Sequence, residues 1–312
     1  MTPPVHLPVM APEVVKFLLT DREGSYLDLT AGLGGHLQAL AQALSSQARL
    51  YGLDKDAEAV SLARQRLAGF SQVKQITCAP FGDLEVIMDG VGENVLDGIL
   101  LDLGLSSYQL DESQRGFSFR HEGPLDMRFD PQSDSTTAAD LINSSTESQL
   151  VHIIRSYGEE RQARRIARAI VRRRATGPLE TTSQLAEVVT ATVPGAHRMK
   201  SLARVFQAIR IAVNGELHCL EQVLPQALSR LKVGGRLAVI SYHSLEDRLV
   251  KHFFRRECGQ CTCPPRLPQC ACGATARVRL VTRRAVVASA AEKQDNPRSR
   301  SARLRVVQRL AA

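Results

Sequence analysis

The feature that most constrains this chain is the rhythm of its first hundred residues, in which short β-like runs alternate with helical ones. Residues 26–30, 49–54, 73–79 and 96–103 read as strands, and residues 36–44 and 57–67 between them read as helices. Such βαβ repetition builds a parallel sheet covered by helices on both faces. The rhythm then stops. Residues 111–203 turn polar and helical without one convincing buried strand, and the alternation resumes with a helix over 205–231, a turn at Gly234-Gly235, a strand over 236–241 and a helix over 245–255. This order predicts a doubly wound, mainly parallel α/β sheet interrupted by an inserted all-helical domain. The expected parts are 1–110 and 204–312 for the sheet domain and 111–203 for the insert. Two β-rich runs in the tail, 278–288 and 302–310, are expected to close as a hairpin.

A chain of 312 residues with 44% hydrophobic side chains can bury sizeable cores without covalent staples. Forty Lys and Arg against 32 Asp and Glu leave a net charge of +8, which favours a polyanionic partner, nucleic acid first. Prolines at 3, 4, 8 and 12 and the lack of a long apolar run argue against a signal peptide or a membrane span at the N-terminus, so the expectation is a cytoplasmic protein with no membrane partner. Five of the seven cysteines crowd into residues 258–272, a spacing unlike that of a secreted disulfide framework. The cluster reads Cys258-x2-Cys261-x-Cys263, then Cys270-x-Cys272. Thiolates closing such a loop could hold a structural zinc, but C-x-C pairs are not the usual knuckle spacing, and a reduced surface loop is the competing reading. No metal is assigned.

The chemistry is clearest where the first strand ends. The run Asp28-Leu29-Thr30-Ala31-Gly32-Leu33-Gly34-Gly35-His36 places glycines where strand becomes helix, so that backbone can approach a ligand closely and helix N–H groups face it. The second strand ends at Asp54, about twenty residues on, where a carboxylate can accept hydrogen bonds from ribose hydroxyls. The third ends near Phe81 and the fourth at Asp102. Three acidic strand ends and an aromatic one, around a single crevice, describe a nucleotide-like binding site. Taken singly, the glycine loop is compatible with a mere tight turn and each Asp with a helix cap.

Nicotinamide dinucleotide and S-adenosylmethionine both suit such a crevice. The glycines do not follow the dinucleotide G-x-G-x-x-G spacing, since Gly32, Gly34 and Gly35 are followed by Gln38 rather than a further glycine. Asp28, just before the loop, would repel a pyrophosphate but could help to hold a cationic amino-acid end. The residues therefore favour the methyl donor and a Rossmann-like, class I S-adenosylmethionine-dependent methyltransferase fold.

The runs His6-Leu7-Pro8-Val9-Met10, Asp102-Leu103-Gly104-Leu105-Ser106-Ser107, Arg115-Gly116-Phe117-Ser118-Phe119, Phe206-Gln207-Ala208-Ile209-Arg210, Ser241-Tyr242-His243-Ser244-Leu245-Glu246-Asp247-Arg248 and Asn296-Pro297-Arg298-Ser299, together with the glycine loop, resemble the MraW family of ribosomal RNA methyltransferases, also called RsmH. The resemblance covers nearly the whole chain in order. It implies methylation of N4 of a cytidine in the decoding region of 16S ribosomal RNA, within the small ribosomal subunit, with S-adenosylmethionine as donor. It also implies cofactor contacts at Gly34, Gly35, His36, Asp54, Phe81, Asp102 and Gln109, the last resting on family likeness alone, and a helical insert that helps to recognise RNA. A homodimer is compatible with the same reading. One departure stands at Ser201-Leu202, where relatives often carry a His-Pro pair.

Cytosine N4 is a poor nucleophile, so an acceptor near its amino hydrogens would assist transfer. Asp102, Ser106, Ser107, His243 and Glu246 are the candidates, each with capping or a structural hydrogen bond as the plainer reading, and no catalytic residue is assigned. In the insert, Ala163, Ile166, Ala167, Ile170 and Val171 form an apolar helical stripe that leaves Arg161, Arg165, Arg168 and Arg172 facing solvent, placed to track phosphates. With no Trp and few aromatics, RNA recognition is expected to use shape and phosphate contacts more than stacking. The chief alternative to an enzyme is an assembly factor whose cofactor pocket is idle; a nicotinamide-dependent reductase fits the loop less well.

Overall fold

The computed structural model describes residues 8–84, 88, 95–105, 112–131, 135–261, 263 and 273–311. The chain divides into two compact units, Met1–Gly104 with Leu217–Ala312, and Leu105–Glu216.

The first unit is built on one seven-stranded sheet with strand order β3-β2-β1-β4-β5-β7-β6. Strands β1 (Ser25–Asp28), β2 (Arg49–Asp54), β3 (Val73–Cys78), β4 (Leu96–Asp102) and β5 (Leu231–Ser241) run parallel. Strands β6 (Val278–Leu280) and β7 (Arg303–Arg309) pair with each other antiparallel, and β7 also runs antiparallel to β5. The strand order turns back at β1 and β4, the point where open α/β sheets bind ligands. Successive side chains on each strand point to opposite faces, and the core divides accordingly. Tyr26, Leu50, Leu100, Ala238 and Ile240 pack on one face against α1 (Ala11–Leu18), α2 (Gly35–Ala43) and α3 (Ala57–Leu67). Leu27, Tyr51, Ile99, Leu101, Leu237 and Val239 pack on the other against α9 (Glu216–Ser229) and α10 (Ser244–Glu257). This is the expected Rossmann-like, doubly wound architecture.

The second unit is helical. It holds α4 (Ala138–Ser144), α5 (Glu147–Gly158), α6 (Ala163–Arg174), α7 (Thr182–Thr192) and α8 (Arg198–Asn214) around its own core, which includes Leu150, Ile154, Ile166, Ile170, Leu185, Phe206 and Ile209. Helices α4, α5 and α7 start on capping boxes at Thr137/Asp140, Thr146/Gln149 and Thr181/Gln184, in which side chain and backbone satisfy each other's orphan groups.

Three expectations need correction. The helix expected over 205–231 is two helices, because Gly215 takes a left-handed conformation (φ 61°) that ends α8. Helix α8 groups with the insert, so the helical unit spans Leu105–Glu216 rather than 111–203. The Gly234-Gly235 pair is not a turn before the strand but an irregularity inside β5, where Leu96 pairs with Leu231 and Gly98 with Arg236. The tail does form a hairpin, with Val278 opposite Arg309, although β6 is shorter than the run expected over 278–288.

Candidate active site at the strand ends

Asp28, Asp54 and Asp102 end β1, β2 and β4; backbone N–H groups fix the first two carboxylates, and two side chains fix the third. Asp28 is fully buried; its Oδ1 accepts from the Thr30 backbone N–H (3.0 Å) and hydroxyl (3.2 Å), while its Oδ2 has no partner. Burial pushes the Asp28 carboxyl up to about 6, against the opposing pull of His36 and the Thr30 N–H. A buried, unpartnered carboxylate oxygen leaves its lone pairs open to a donor from a ligand. Thr30 also ties β1 to β4, its Oγ1 accepting from the Asp102 N–H at 2.6 Å.

The glycine loop is folded by the same logic. The Gly32 N–H donates to Asp54 Oδ2 (2.7 Å), and Asp54 Oδ1 accepts from the Asp56 N–H (2.9 Å). Burial raises the Asp54 carboxyl, opposed by these backbone donors. Gly34 caps α2 at φ 79°, and a Cβ there would come within 2.8 Å of Leu67 Cδ1. Glycine is required twice over, by conformation and by space. Helix α2 therefore starts tight against α3, with Gly35 and His36 as its first residues.

His36 is buried, with Nε2 3.2 Å from Asp102 Oδ2 and Nδ1 without a partner. Burial opposes charge on the imidazole, but the hydrogen bond and field of Asp102, with Asp28 and Glu292 adding to it, hold the pKa above the ordinary histidine value. The other Asp102 oxygen, Oδ1, accepts from the Tyr242 hydroxyl at 2.7 Å. Tyr242 stands just past β5, and burial followed by the Asp102 charge keeps its phenol far above the usual range, so it remains a donor. Its ring lies against Gly104, where a Cβ would meet it at 3.2 Å.

The structure thus brings Gly34, Gly35, His36, Asp54 and Asp102 to the strand ends within the first unit. Phe81 follows β3 in a short 3-10 turn, Phe81–Asp83, half-buried against the Leu53 and Leu101 face of the core. Gln109, Ser106 and Ser107 lie outside the described residues. His243 and Glu246 form the capping box of α10: Glu246 Oε2 accepts from the Tyr242 and His243 N–H groups at 2.8 and 3.2 Å. Their plainer reading as a helix start accounts for both, and their service to the site is to fix the backbone that carries Tyr242. Tyr242 is the residue that sequence reasoning passed over. The signal that marks it is its place directly after the fifth strand, beside His243.

Among the described residues Cys78, Cys219, Cys258, Cys261 and Cys263 are not in disulfides, and the remaining two cysteines, Cys270 and Cys272, lie outside them. On α6, Ala163, Ile166, Ala167 and Ile170 are buried, Val171 is half-buried, and Arg165, Arg168 and Arg172 are exposed, as is Arg161 in the turn before the helix. Ser201, at the departure noted in the sequence, is buried and donates its hydroxyl to Glu160 Oε2 at 2.9 Å. No helix among the described residues is long and apolar enough to cross a membrane.

Comparison with known proteins places this geometry in a family. The ribosomal RNA small subunit methyltransferase H of Pelobacter propionicus is 49% identical over 309 residues, covering 98% of each chain. The protein of the same name from Heliobacterium modesticaldum is 46% identical, again covering 98% of each. A more distant solved structure, an rRNA methylase from Streptococcus thermophilus, aligns at a TM-score of 0.43 with 13% identity, over 96% of this chain and 94% of that one. The profile of the MraW methylase family matches residues 4–310, and the chain belongs to that family.

Proposed function

We propose that the protein transfers the methyl group of S-adenosylmethionine to N4 of a cytidine in the decoding region of small-subunit 16S ribosomal RNA. The observation that carries the donor is the unpartnered Oδ2 of the fully buried Asp28, set behind a glycine turn that has no room for a side chain at Gly34. That pair of features suits the ammonium end of an amino acid and a close backbone approach. Asp54 would take the ribose hydroxyls, Phe81 the adenine face, and Gly34, Gly35 and His36 the amino-acid end, with Gln109 added by family likeness. S-adenosylmethionine, when bound, supplies an electrophilic methyl group. The relatives' name supplies the substrate class, ribosomal RNA of the small subunit.

The chain's own residues then have to align and accept. Displacement at a methyl carbon asks mainly for orientation of the incoming amine. Asp102 is the strand-end carboxylate held by two side chains, His36 at one oxygen and Tyr242 at the other, so its remaining lone pairs have a fixed direction. An amino hydrogen of the target base is the donor that such a lone pair suits. The cytosine must leave its stack to reach the site, and the exposed arginines of α6 supply phosphate contacts for the RNA that carries it.

The experiment is a titration of the protein with S-adenosylmethionine and, separately, with a nicotinamide dinucleotide, followed by incubation with small subunits and with free 16S RNA. Binding of the methyl donor with turnover on either substrate is expected. Donor binding without turnover favours the assembly-factor reading, and nicotinamide binding overturns the proposal.

A further inference from the structure

The charge of this chain is unevenly placed. Residues 1–104 hold seven Lys and Arg against thirteen Asp and Glu, and the helical segment 105–216 holds fifteen against thirteen. Residues 273–312 hold ten against two, a surplus of eight that equals the surplus of the whole chain. Those residues build one place in the fold, the antiparallel margin of the sheet. Strand β6 pairs with β7, and beyond it Thr282 and Val286 continue along the same side of β7, through Val306 N to Thr282 Oγ1 (3.0 Å) and reciprocal Val286 and Leu304 backbone bonds (2.9 Å each). Arg279, Arg283 and Arg284 are exposed there, as is Arg300 in the 3-10 turn that precedes β7, and no carboxylate of a described residue lies within ion-pair distance of them. Nearby Arg277 and Arg303 are exposed but paired, with Glu257 at 3.1 Å and Asp247 at 3.3 Å. At roughly 3.3 Å per residue, no more than about 17 Å of chain separates Arg279 from Arg284.

A sheet edge lined with arginines has a plain explanation, since charge on an edge strand blocks pairing with other chains. Edge protection accounts for a charge on the paired strand, as at Arg279, whereas Arg283 and Arg284 stand on a bend where there is no ladder to protect. We infer that the β6–β7 margin, with Arg279, Arg283, Arg284 and Arg300, is a second surface for the RNA backbone, separate from the arginines of α6. This deepens the reading of the partner given above, and rests on it for the identity of the RNA.

The test is fluorescence-anisotropy binding of the full chain to labelled small-subunit RNA fragments across a salt series. The variants are Arg279→Ala/Arg283→Ala/Arg284→Ala and the same three positions changed to Lys. Each phosphate that a variant leaves unneutralised lowers the slope of log affinity against log salt by about 0.7 to 0.9, so the alanine triple is expected to flatten it by about two, with at least a tenfold loss of affinity at low salt. The lysine triple is expected to keep most of both. Unchanged affinity and slope in the alanine triple, with or without self-association in sedimentation, would assign the arginines to edge protection and overturn the inference. Loss of binding to vesicles of anionic phospholipid while RNA binding holds would overturn it in favour of a lipid surface. If the native protein binds RNA through these arginines yet methylates none, the surface stands and the enzymatic reading fails.

Discussion

At the scale of single residues, Asp28 makes the most direct prediction. Its carboxyl titrates at about 6 in the free protein, and a cationic ligand binds its charged form. Affinity for S-adenosylmethionine is therefore full above that value and lost as pH falls through it, while His36, held above the ordinary histidine range, stays charged across the same window. Binding at pH 5 is expected to be about eightfold weaker than at pH 6.5, and Asp28→Asn to remove the dependence along with much of the affinity; calorimetric titration across this range checks it. In the apo protein the sign is the opposite for stability. A carboxyl raised by folding favours the native state below its unfolded pKa and loses that advantage as pH rises through about 6. Tyr242 gives a second prediction. Tyr242→Phe keeps the ring against Gly104 and removes one hydrogen bond to a carboxylate, the kind of bond that contributes about 1.5–3 kcal/mol. Methyl transfer is expected to fall at least tenfold, and the melting temperature by a few degrees; steady-state kinetics beside a thermal melt decide it, and unchanged turnover would remove Tyr242 from the site. Asp28, Gly34, His36, Asp54 and Asp102 can be found in the sequence because strand ends and glycines mark them. Tyr242 also stands at a strand end, but the contact that gives it a role depends on β5 lying beside β4, a pairing of residues about 140 positions apart.

At the scale of elements, local signals work where the chain satisfies itself locally. The bounds of β2 and α3 agree with their sequence patterns because alternation, Asp56 as a cap and a short apolar stripe all point the same way. They mislead where an apolar stripe runs through a break. Residues 205–231 keep helical periodicity on both sides of Gly215, and only the left-handed conformation there shows that α8 and α9 face different cores. Gly234-Gly235 misleads in the opposite sense, since a pair that suits a turn is used to absorb the irregular pairing of β4 with β5. Caps such as Thr181 should hold their helices measurably. Thr181→Ala removes the acceptor for the Gln184 N–H and is expected to cost about 1 kcal/mol. Amides in the first turns of α7 should then exchange about fivefold faster in hydrogen-exchange measurements, while those of α3 remain unchanged.

At the scale of the whole molecule, composition predicts a polyanionic partner but not where it binds. Net charge is a sum, and the segment read as the RNA grip contributes little of it: its cations are largely balanced by its own acids, while the margin at β6–β7 is not balanced. Salt should therefore weaken RNA binding through two separate sets of arginines, and combining Arg165→Ala/Arg168→Ala/Arg172→Ala with the triple change at the margin should flatten the salt dependence by the sum of their separate effects. The two-unit division is legible in outline from the interruption of the βαβ rhythm, and its limits are not, because α8 continues an apolar pattern that either unit could bury. The central claim joins a donor site to a particular base. The measurement that tests it most directly is transfer from labelled S-adenosylmethionine to small ribosomal subunits lacking the modification, followed by mass spectrometry of the nucleosides, with Asp102→Ala alongside. N4-methylated cytidine formed by the native protein and lost in the variant is the predicted result; label on another nucleoside, or donor binding with no methylated nucleoside on subunits or free RNA, would contradict it.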